Sequence, residues 1–427
     1  MRFLRVCVAS AAISLCALSA SAQQTPFMEP PQKLTQVDAL ERLKRESLQL
    51  VAARHRLSQA RAEVVAAGVW TNPNVSASVL TLTHGTVTGG QTEVVVAVDQ
   101  VIPLAGQVGL RKDVARGFLS AEERAYAATL WQLVSDAKVA YLDLQRAEAR
   151  ARAIRSGLDD LARVESVVKE RAAAGASSPY DGVRVGAERS KLESRRAQAD
   201  VDLTSARTAL AESVGKSIDV RTVSADDLAG EPPDAPRDLP SLVRRAIAAR
   251  PEVGSARARA EANELRIAYL RRQYYPSPDV SVGYARYLEV PGTPTSAGGA
   301  LIFGVSLPVP LLDRGQGTID RGIAAAAEER ANQSAVELSV RRQVEQAALA
   351  MEVRVEAWHR YRDTSAKDLP RLRSIAELSY REGRASILEL LDAYATYLDG
   401  QERSIDLRTA AGRSALDLER AVGPLAP

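Results

Sequence analysis

Three histidines are the residues of this chain whose side chains could most readily serve catalysis or metal binding. His55, His84 and His359 stand far apart in the sequence. No glycine-rich phosphate loop occurs, and the GVSLP segment around Ser306 lacks the pattern of a nucleophile elbow. The sequence therefore predicts no enzyme activity, no cofactor and no resident metal, with His84 near a predicted outer loop as the one residue that could meet a metal ion.

Two acidic residues, Glu389 and Asp392, are spaced for a different chemistry. Residues three apart lie on one face of a helix, so both carboxylates would point the same way. Such a pair can attract cations. It can equally be a pair of solvated acids near a helix start, where the helix dipole favours negative charge.

The first 22 residues have the features of an export signal. Arg2 and Arg5 precede an apolar run, and the segment ends in Ala20-Ser21-Ala22. Both cysteines of the chain lie inside this segment, and Cys16 follows a leucine rather than a small residue, so we expect export without a lipid anchor. Subtracting the two arginines from the formal charge of +3 leaves +1, which argues against a nucleic-acid partner.

The composition after the signal is typical of long packed helices. Only 4% of the residues are aromatic, and alanine, arginine, glutamate and leucine dominate. The sequence predicts a mainly α-helical protein.

The sequence contains an internal repeat of one structural unit. Pro73-Asn74-Val75-Ser76 matches Pro278-Asp279-Val280-Ser281 at 278 − 73 = 205, and Gly175 matches Gly383 at 383 − 175 = 208. An offset that drifts by three residues across the chain indicates a duplication. We predict repeats at 23–215 and 239–423, a linker at 216–238 rich in proline and acidic residues, and a tail at 424–427.

Each repeat has the same predicted order of elements. A helix begins at a cap near Thr35 or Ser241 and ends near a proline. Two short extended segments follow, about 74–84 and 93–101 in the first repeat, and about 279–289 and 301–308 in the second. A helical hairpin comes last, with its tip near 175–179 or 383–386.

The extended segments are close in length to a tilted strand that crosses a bilayer. The valine-rich segment 94–98 is apolar on both faces, so a strand in the core of a soluble sheet remains the alternative. The outgoing helix of each hairpin would be about 100 Å long at roughly 1.5 Å per residue. The two shorter helices of a repeat could therefore stack end to end beside it, with the linker at their junction.

Closure of the strands requires partners. Four strands cannot form a barrel with a usable interior, whereas three chains supply twelve. Helices this long also need neighbours to cover their alanine-rich faces, which an elongated coiled-coil rod would do as well.

The chain resembles the TolC family of outer-membrane efflux proteins over essentially its whole length after the signal. The resemblance is carried by RPEV at 250–253, LPVPLLDRGQGTI at 307–319 and YREGRASILELLDA at 380–393. The middle motif is most similar to the branch that serves heavy-metal and cation exporters. The resemblance implies a trimer that forms a 12-stranded outer-membrane β-barrel plus a long periplasmic α-helical barrel.

The resemblance also implies roles for particular residues. Glu389 and Asp392 would form stacked acidic rings in a periplasmic aperture. Arg184, not an acid, stands opposite Asp392 in the first repeat, so any ring would be threefold. The turns that dock an adaptor would be formed by Gly175, Ser178, Asp181, Gly383, Arg384 and Ser386. The transition from barrel to helices would be formed by Pro103, Pro308, Pro310, Asp313 and Arg314.

The expected function is a passive exit duct with a membrane-fusion adaptor, an inner-membrane pump of the RND type and outer-membrane lipid as partners. A periplasmic adaptor and a coiled-coil scaffold are the competing hypotheses. Within the same fold, the cargo could be cations, drugs or secreted polypeptides.

Overall fold

The computed structural model describes residues 32–81, 92–175, 178–215, 218–228, 230–288 and 298–424. The first half contains β1 (Gln32–Leu34), α1 (Gln36–Glu46), α2 (Leu48–Gly68), β2 (Asn74–Thr81), β3 (Thr92–Val101), α3 (Gln107–Ala173) and α4 (Pro179–Val214). The linker contains β4 (Val223–Ala225). The second half contains α5 (Leu239–Ala249), α6 (Pro251–Gln273), β5 (Asp279–Leu288), β6 (Gly298–Ser306), α7 (Gln316–Asp363), α8 (Ser365–Arg381) and α9 (Ile387–Val422).

The two halves repeat the same order of elements. The predicted signal at 1–22, His84 and the loop residues 85–91 and 290–297 lie outside the described residues. Among the described residues, no helix combines the length and the apolar character needed to span a membrane.

The first helix of each half is divided, where the sequence predicts one continuous helix. Ser47 is extended and caps α2 by accepting a hydrogen bond from Leu50 N–H. Arg250 is extended because Pro251 follows it, and the residue before a proline avoids the helical region. Thr35 forms a capping box with Asp38, as expected. The cap of the second half is Asp238 rather than Ser241, because its carboxylate accepts from Ser241 N–H at 3.1 Å.

The helices form a wall four columns wide. α3 packs against α2 and α4 on one side and against α6 and α9 on the other, and α7 with α8 packs against α6 and α9. The end of α4 at Gly215 meets Glu46 between α1 and α2, and the end of α9 at Gly423 meets Arg250 between α5 and α6. Two shorter helices are therefore stacked beside each long column, and the columns α2/α4 and α7/α8 form the two open edges of the wall.

The linker crosses the middle of this wall. β4 pairs in parallel with β1. The Tyr141 hydroxyl of α3 donates to Leu34 O at 2.9 Å and accepts from Asp226 N–H at 3.0 Å. Leu34, Val223 and Tyr141 belong to one buried cluster with the end of α4. The segment thus lies at the junction of the stacked helices.

The long outgoing column differs between the halves. α3 is continuous over 67 residues, whereas its counterpart breaks at Thr364 into α7 and α8. Pro370 lies inside α8 and cannot donate the hydrogen bond that its position requires. The Tyr361 hydroxyl donates to Gly400 O at 2.8 Å, which ties the break to α9.

The four remaining strands form one antiparallel sheet in the order β2-β3-β5-β6. Asn74 pairs with Asp99, Asp99 with Ser281, and Ser281 with Gly304. β6 ends at Ser306, two residues before the predicted end, because Pro308 and Pro310 lack the N–H that would continue the ladder.

Candidate functional site

The two faces of the sheet differ in character. Directly paired residues share a face, and one face carries Val75, Val79, Val96, Val98, Val282, Tyr284, Leu301, Phe303 and Val305. All nine side chains are exposed, and the exposed Arg286 lies at the end of the same face. On the opposite face Gly283 and Ala285 are buried and Ser281 is half-buried. Val95 shares this second face, so the run Val94–Val96 is split between the faces.

The sheet has two unpaired edges. β2 and β6 each pair with one strand only among the described residues. An exposed apolar face and two open edges are costly in water, because unpaired backbone groups and apolar surface invite association.

Glycines set the junction between sheet and helices. Gly106 and Gly315 precede α3 and α7 with φ of 74° and 75°. A Cβ on Gly315 would lie 2.0 Å from Tyr274 Cε2. Pro103 lies in the first junction, residues 102–107, between β3 and α3. The second junction, residues 307–316, lies between β6 and α7. Pro308, Pro310, Asp313 and Arg314 lie in the second, where Asp313 accepts a hydrogen bond from Gly315 N–H at 2.8 Å.

The hairpin tips turn at glycines with a left-handed backbone. Gly175 and Gly383 have φ of 68° and 75°, which a side chain would strain. Ser178 accepts from Tyr180 N–H at 3.2 Å, and Ser386 accepts from Glu389 N–H at 3.3 Å. Arg384 is exposed at the second tip and pairs with Glu382.

Glu389 and Asp392 are both exposed on α9. The Glu389 carboxylate accepts from Ser386 N–H at 2.7 Å and completes a capping box. One of the two predicted ring acids therefore has a structural role at the helix start. Their first-repeat counterparts diverge, since Asp181 is half-buried and Arg184 is exposed.

Tyr380 joins the two hairpin tips. Its buried hydroxyl donates to Asp181 at 3.3 Å, and the Arg171 guanidinium donates to its carbonyl and lies 4.6 Å above its ring. Tyr380 ends α8, Asp181 begins α4, and Arg171 ends α3. Asp181 was predicted at the tip from the sequence, whereas its partner Tyr380 and the Arg171 that holds Tyr380 were not assigned there.

A buried carboxylate lies further from the tips. Asp160 of α3 is 3% exposed in its side chain and accepts from Arg163 and, at 2.6 Å, from Arg373 of α8. Arg373 stacks 4.4 Å from the Tyr397 ring of α9. These residues are too far apart in sequence for any spacing to have revealed them.

Tyr394 extends this cluster. Its hydroxyl donates to Glu377 at 3.1 Å. Burial, with a further contribution from the Glu377 charge, raises the pKa of Tyr394 to about 12. Arg195 of α4 donates to Asp399 at 2.9 Å and to Glu402 at 2.8 Å, so α4 and α9 are joined as well.

Metal-binding clusters of three or more His, Cys, Asp or Glu side chains do not occur in the described part of the chain. His55 is exposed on α2 and His359 is half-buried on α7.

A family model described as outer membrane efflux protein matches residues 39–216 and 242–424. The cobalt-zinc-cadmium resistance protein CzcC of Cupriavidus metallidurans is 24% identical over 277 residues, which cover 65% of this chain and 64% of CzcC. The chain thus spans less than two thirds of that relative's length.

Solved structures share the fold. The CusC channel superposes with a TM-score of 0.75 at 17% identity, covering 95% of each chain. The CmeC outer membrane channel of Campylobacter jejuni gives a TM-score of 0.75 at 14% identity, covering 91% of this chain and 85% of that one. The MtrE outer membrane channel of Neisseria gonorrhoeae gives a TM-score of 0.72 at 16% identity, covering 91% of this chain and 88% of that one.

Proposed function

This chain belongs to the outer membrane efflux protein family, and we propose that three copies form the passive exit duct of a tripartite efflux system. The observation that carries the proposal is the open four-stranded sheet with one apolar face, continued by a helical wall whose two edges are also open. Twelve strands from three copies would pair every edge and place the apolar face against lipid.

The edges of the helical wall support the same assembly. Exposed apolar residues of the edge columns include Leu48, Val65, Val183 and Val201 on α2 and α4, and Ile323, Leu338, Leu349, Val353, Leu372, Ile375 and Leu378 on α7 and α8. Ring closure would bring one edge of each copy against the other edge of the next and cover both sets.

The partners in the proposal are a periplasmic membrane-fusion adaptor and an inner-membrane pump of the RND type. The adaptor would dock at the tips around Gly175, Ser178, Gly383 and Ser386. Transport through the duct itself is passive, and the pump supplies the energy. The cargo we propose is a divalent cation, because the relative CzcC is named for cobalt, zinc and cadmium resistance.

Membrane fractionation and single-channel recording test the proposal. The protein should be found in the outer-membrane fraction as a trimer that dissociates on heating, and it should conduct ions in a planar bilayer. Recovery of a periplasmic monomer would reject the duct and favour the adaptor or the scaffold. Deletion of the gene, with tolerance measured on a panel of metals and antibiotics, would then separate cations from drugs as cargo.

Glu389 and Asp392 are proposed to line the periplasmic aperture as rings of three carboxylates, which attract cations and repel one another when the aperture tightens. Replacing both by alanine should raise the conductance of the isolated trimer or weaken its block by divalent cations. Glu352→Ala with Glu356→Ala removes the same charge from α7 and serves as the control. Unchanged conductance and unchanged block would remove these acids from the proposal.

A further inference from the structure

The junction after β3 is held by the other half of the chain. Ile102 N–H donates to Pro278 O at 2.8 Å. The Gln107 side-chain amide donates to Ser277 Oγ at 3.1 Å and to Tyr275 O at 3.4 Å. Gln107 is buried by these contacts. The segment before β5, residues 275–278, therefore acts as a receptor for the first junction.

The second junction is built in the same way but has no such receptor among the described residues of its own chain. Gln107 and Gln316 each follow a left-handed glycine, and each accepts a hydrogen bond at 2.9 Å from the N–H two residues earlier. Gln316, however, is exposed, and among the described residues its amide nitrogen has one acceptor, Leu312 O at 3.5 Å. Leu311 and Leu312 are 71% and 92% exposed.

The counterpart of that receptor in the first half is the segment before β2. Residues 70–73 match 275–278 at the offset of 205, which places Trp70 on Tyr275, Asn72 on Ser277 and Pro73 on Pro278. This segment is exposed along its length, including the Trp70 ring. It lies at the β2 edge of the sheet, whereas the second junction lies at the β6 edge. One chain cannot bring the two edges together, but two copies can.

We propose that the second junction, residues 307–316, binds residues 70–73 of the neighbouring copy in the way that the first junction binds residues 275–278 of its own chain. Val309 N–H donates to Pro73 O, and the Gln316 amide donates to Trp70 O and to the Asn72 side chain. Leu311 and Leu312 cover the Trp70 ring. This inference rests on the trimer of the proposed function and adds the contact that joins its copies.

The proposal fixes the register between copies. In the chain Val101 pairs with Asp279, so Ile102 lies opposite Pro278. Placing Val309 opposite Pro73 in the same way puts Ser306 opposite Ser76 and Gly304 opposite Ser78.

This register passes an independent geometric check. Following paired residues from Asn74 through Asp99, Ser281 and Gly304 leads to Ser78 of the next copy, a shift of 78 − 74 = 4 residues. About 13 Å of shift over four strands spaced about 4.8 Å apart gives a tilt of about 35°, at the lower bound of the roughly 35–45° of membrane barrels.

Disulfide trapping tests the register. Ser306→Cys with Ser76→Cys should link neighbouring copies on mild oxidation, because the proposed pair is a non-hydrogen-bonded one with closely spaced Cβ atoms. The matched controls keep Ser306→Cys and place the second cysteine at Asn74 or Ser78, on the same face and two residues out of register. The 306–76 pair should link about tenfold faster than either control.

Trimer formation is scored separately on the same samples by mass in detergent. If a trimer forms but a control pair links fastest, or no pair links, the proposed contact is wrong. The proposal that the trimer is an exit duct is then unaffected. Absence of a trimer overturns both.

Gln316→Glu tests the amide donor alone, because it keeps the oxygen that accepts from Arg314 N–H. The variant should lower the temperature at which the trimer dissociates, whereas Gln346→Glu, an exposed position on the same helix, should not. Equal effects of the two variants would overturn the role of Gln316.

Discussion

Asp160 shows how a single side chain joins the two halves of the chain. It is the most deeply buried carboxylate among the described residues, and its partner Arg373 lies 213 residues away in sequence. A buried charge is tolerated only when it is paired and hydrogen-bonded. The position of α8 against α3 therefore depends on this pair.

Asp160→Asn should destabilise the chain by roughly 2 kcal/mol, because it leaves Arg373 and Arg163 without a buried counter-charge. The free energy of unfolding from denaturant titration measures the change. Asp159→Asn, an exposed neighbour on the same helix, is the control. Equal stabilities of the two variants would show that the Asp160–Arg373 ion pair does not stabilise the fold.

Tyr394 gives a prediction for alkaline pH. Its pKa in the folded protein is about 12, against an ordinary value of 10.0, so the fold favours the neutral phenol. The stability that this provides is complete below pH 10 and is lost as the pH rises from 10 to 12. Tyr394→Phe should lose less stability than the unmodified protein over this interval, as measured by thermal unfolding at each pH. Tyr180→Phe, an exposed position, should follow the unmodified protein.

The two junctions connect a strand of the sheet to the long helix that follows it. Gly106 and Gly315 have the same left-handed backbone but different surroundings. Nothing lies within 4 Å of a Cβ added at Gly106, whereas Tyr274 occupies that space at Gly315. Substitutions at Gly106 and Gly315 therefore measure backbone strain without and with steric overlap.

Gly106→Ala should cost about 1 kcal/mol of folding free energy, from the positive φ alone. Gly315→Ala carries the same strain and must also displace the Tyr274 ring, so its loss should be larger. Thermal unfolding of both variants checks the order. Gly315→Ala in a Tyr274→Ala background should then recover to the level of Gly106→Ala, and no recovery would contradict the steric account.

For the molecule as a whole, the proposed location in the outer membrane depends on the sheet. Phe303 is 73% exposed on the apolar face, and Ile302 beside it points to the other face. A lysine facing lipid near the bilayer midplane costs about 2–4 kcal/mol. Phe303→Lys should therefore reduce the amount of heat-dissociable trimer in the outer membrane more than Ile302→Lys does. Equal yields would argue against lipid on the valine-rich face.

The order of helices and strands could be predicted from the sequence, because each element has a local residue pattern and the order is repeated in the two halves. Glycine and proline mark the tips and junctions through their backbone preferences, so Gly175, Gly383, Pro103 and Pro308 could be placed without a fold. Strand positions followed from length and β-branched composition. The break at Arg250 was missed although Pro251 marks it locally. The breaks at Ser47 and Thr364 were missed because helix propensity continues across them.

The contacts between distant residues became visible only in the folded chain. The pairs Asp160–Arg373 and Asp181–Tyr380 join segments about 200 residues apart, and no spacing in the sequence encodes them. The two faces of the sheet likewise required the register, because a shift of one residue exchanges every side chain between the faces. Local preferences fix what each segment is, and burial of charge and apolar surface between segments fixes what it touches.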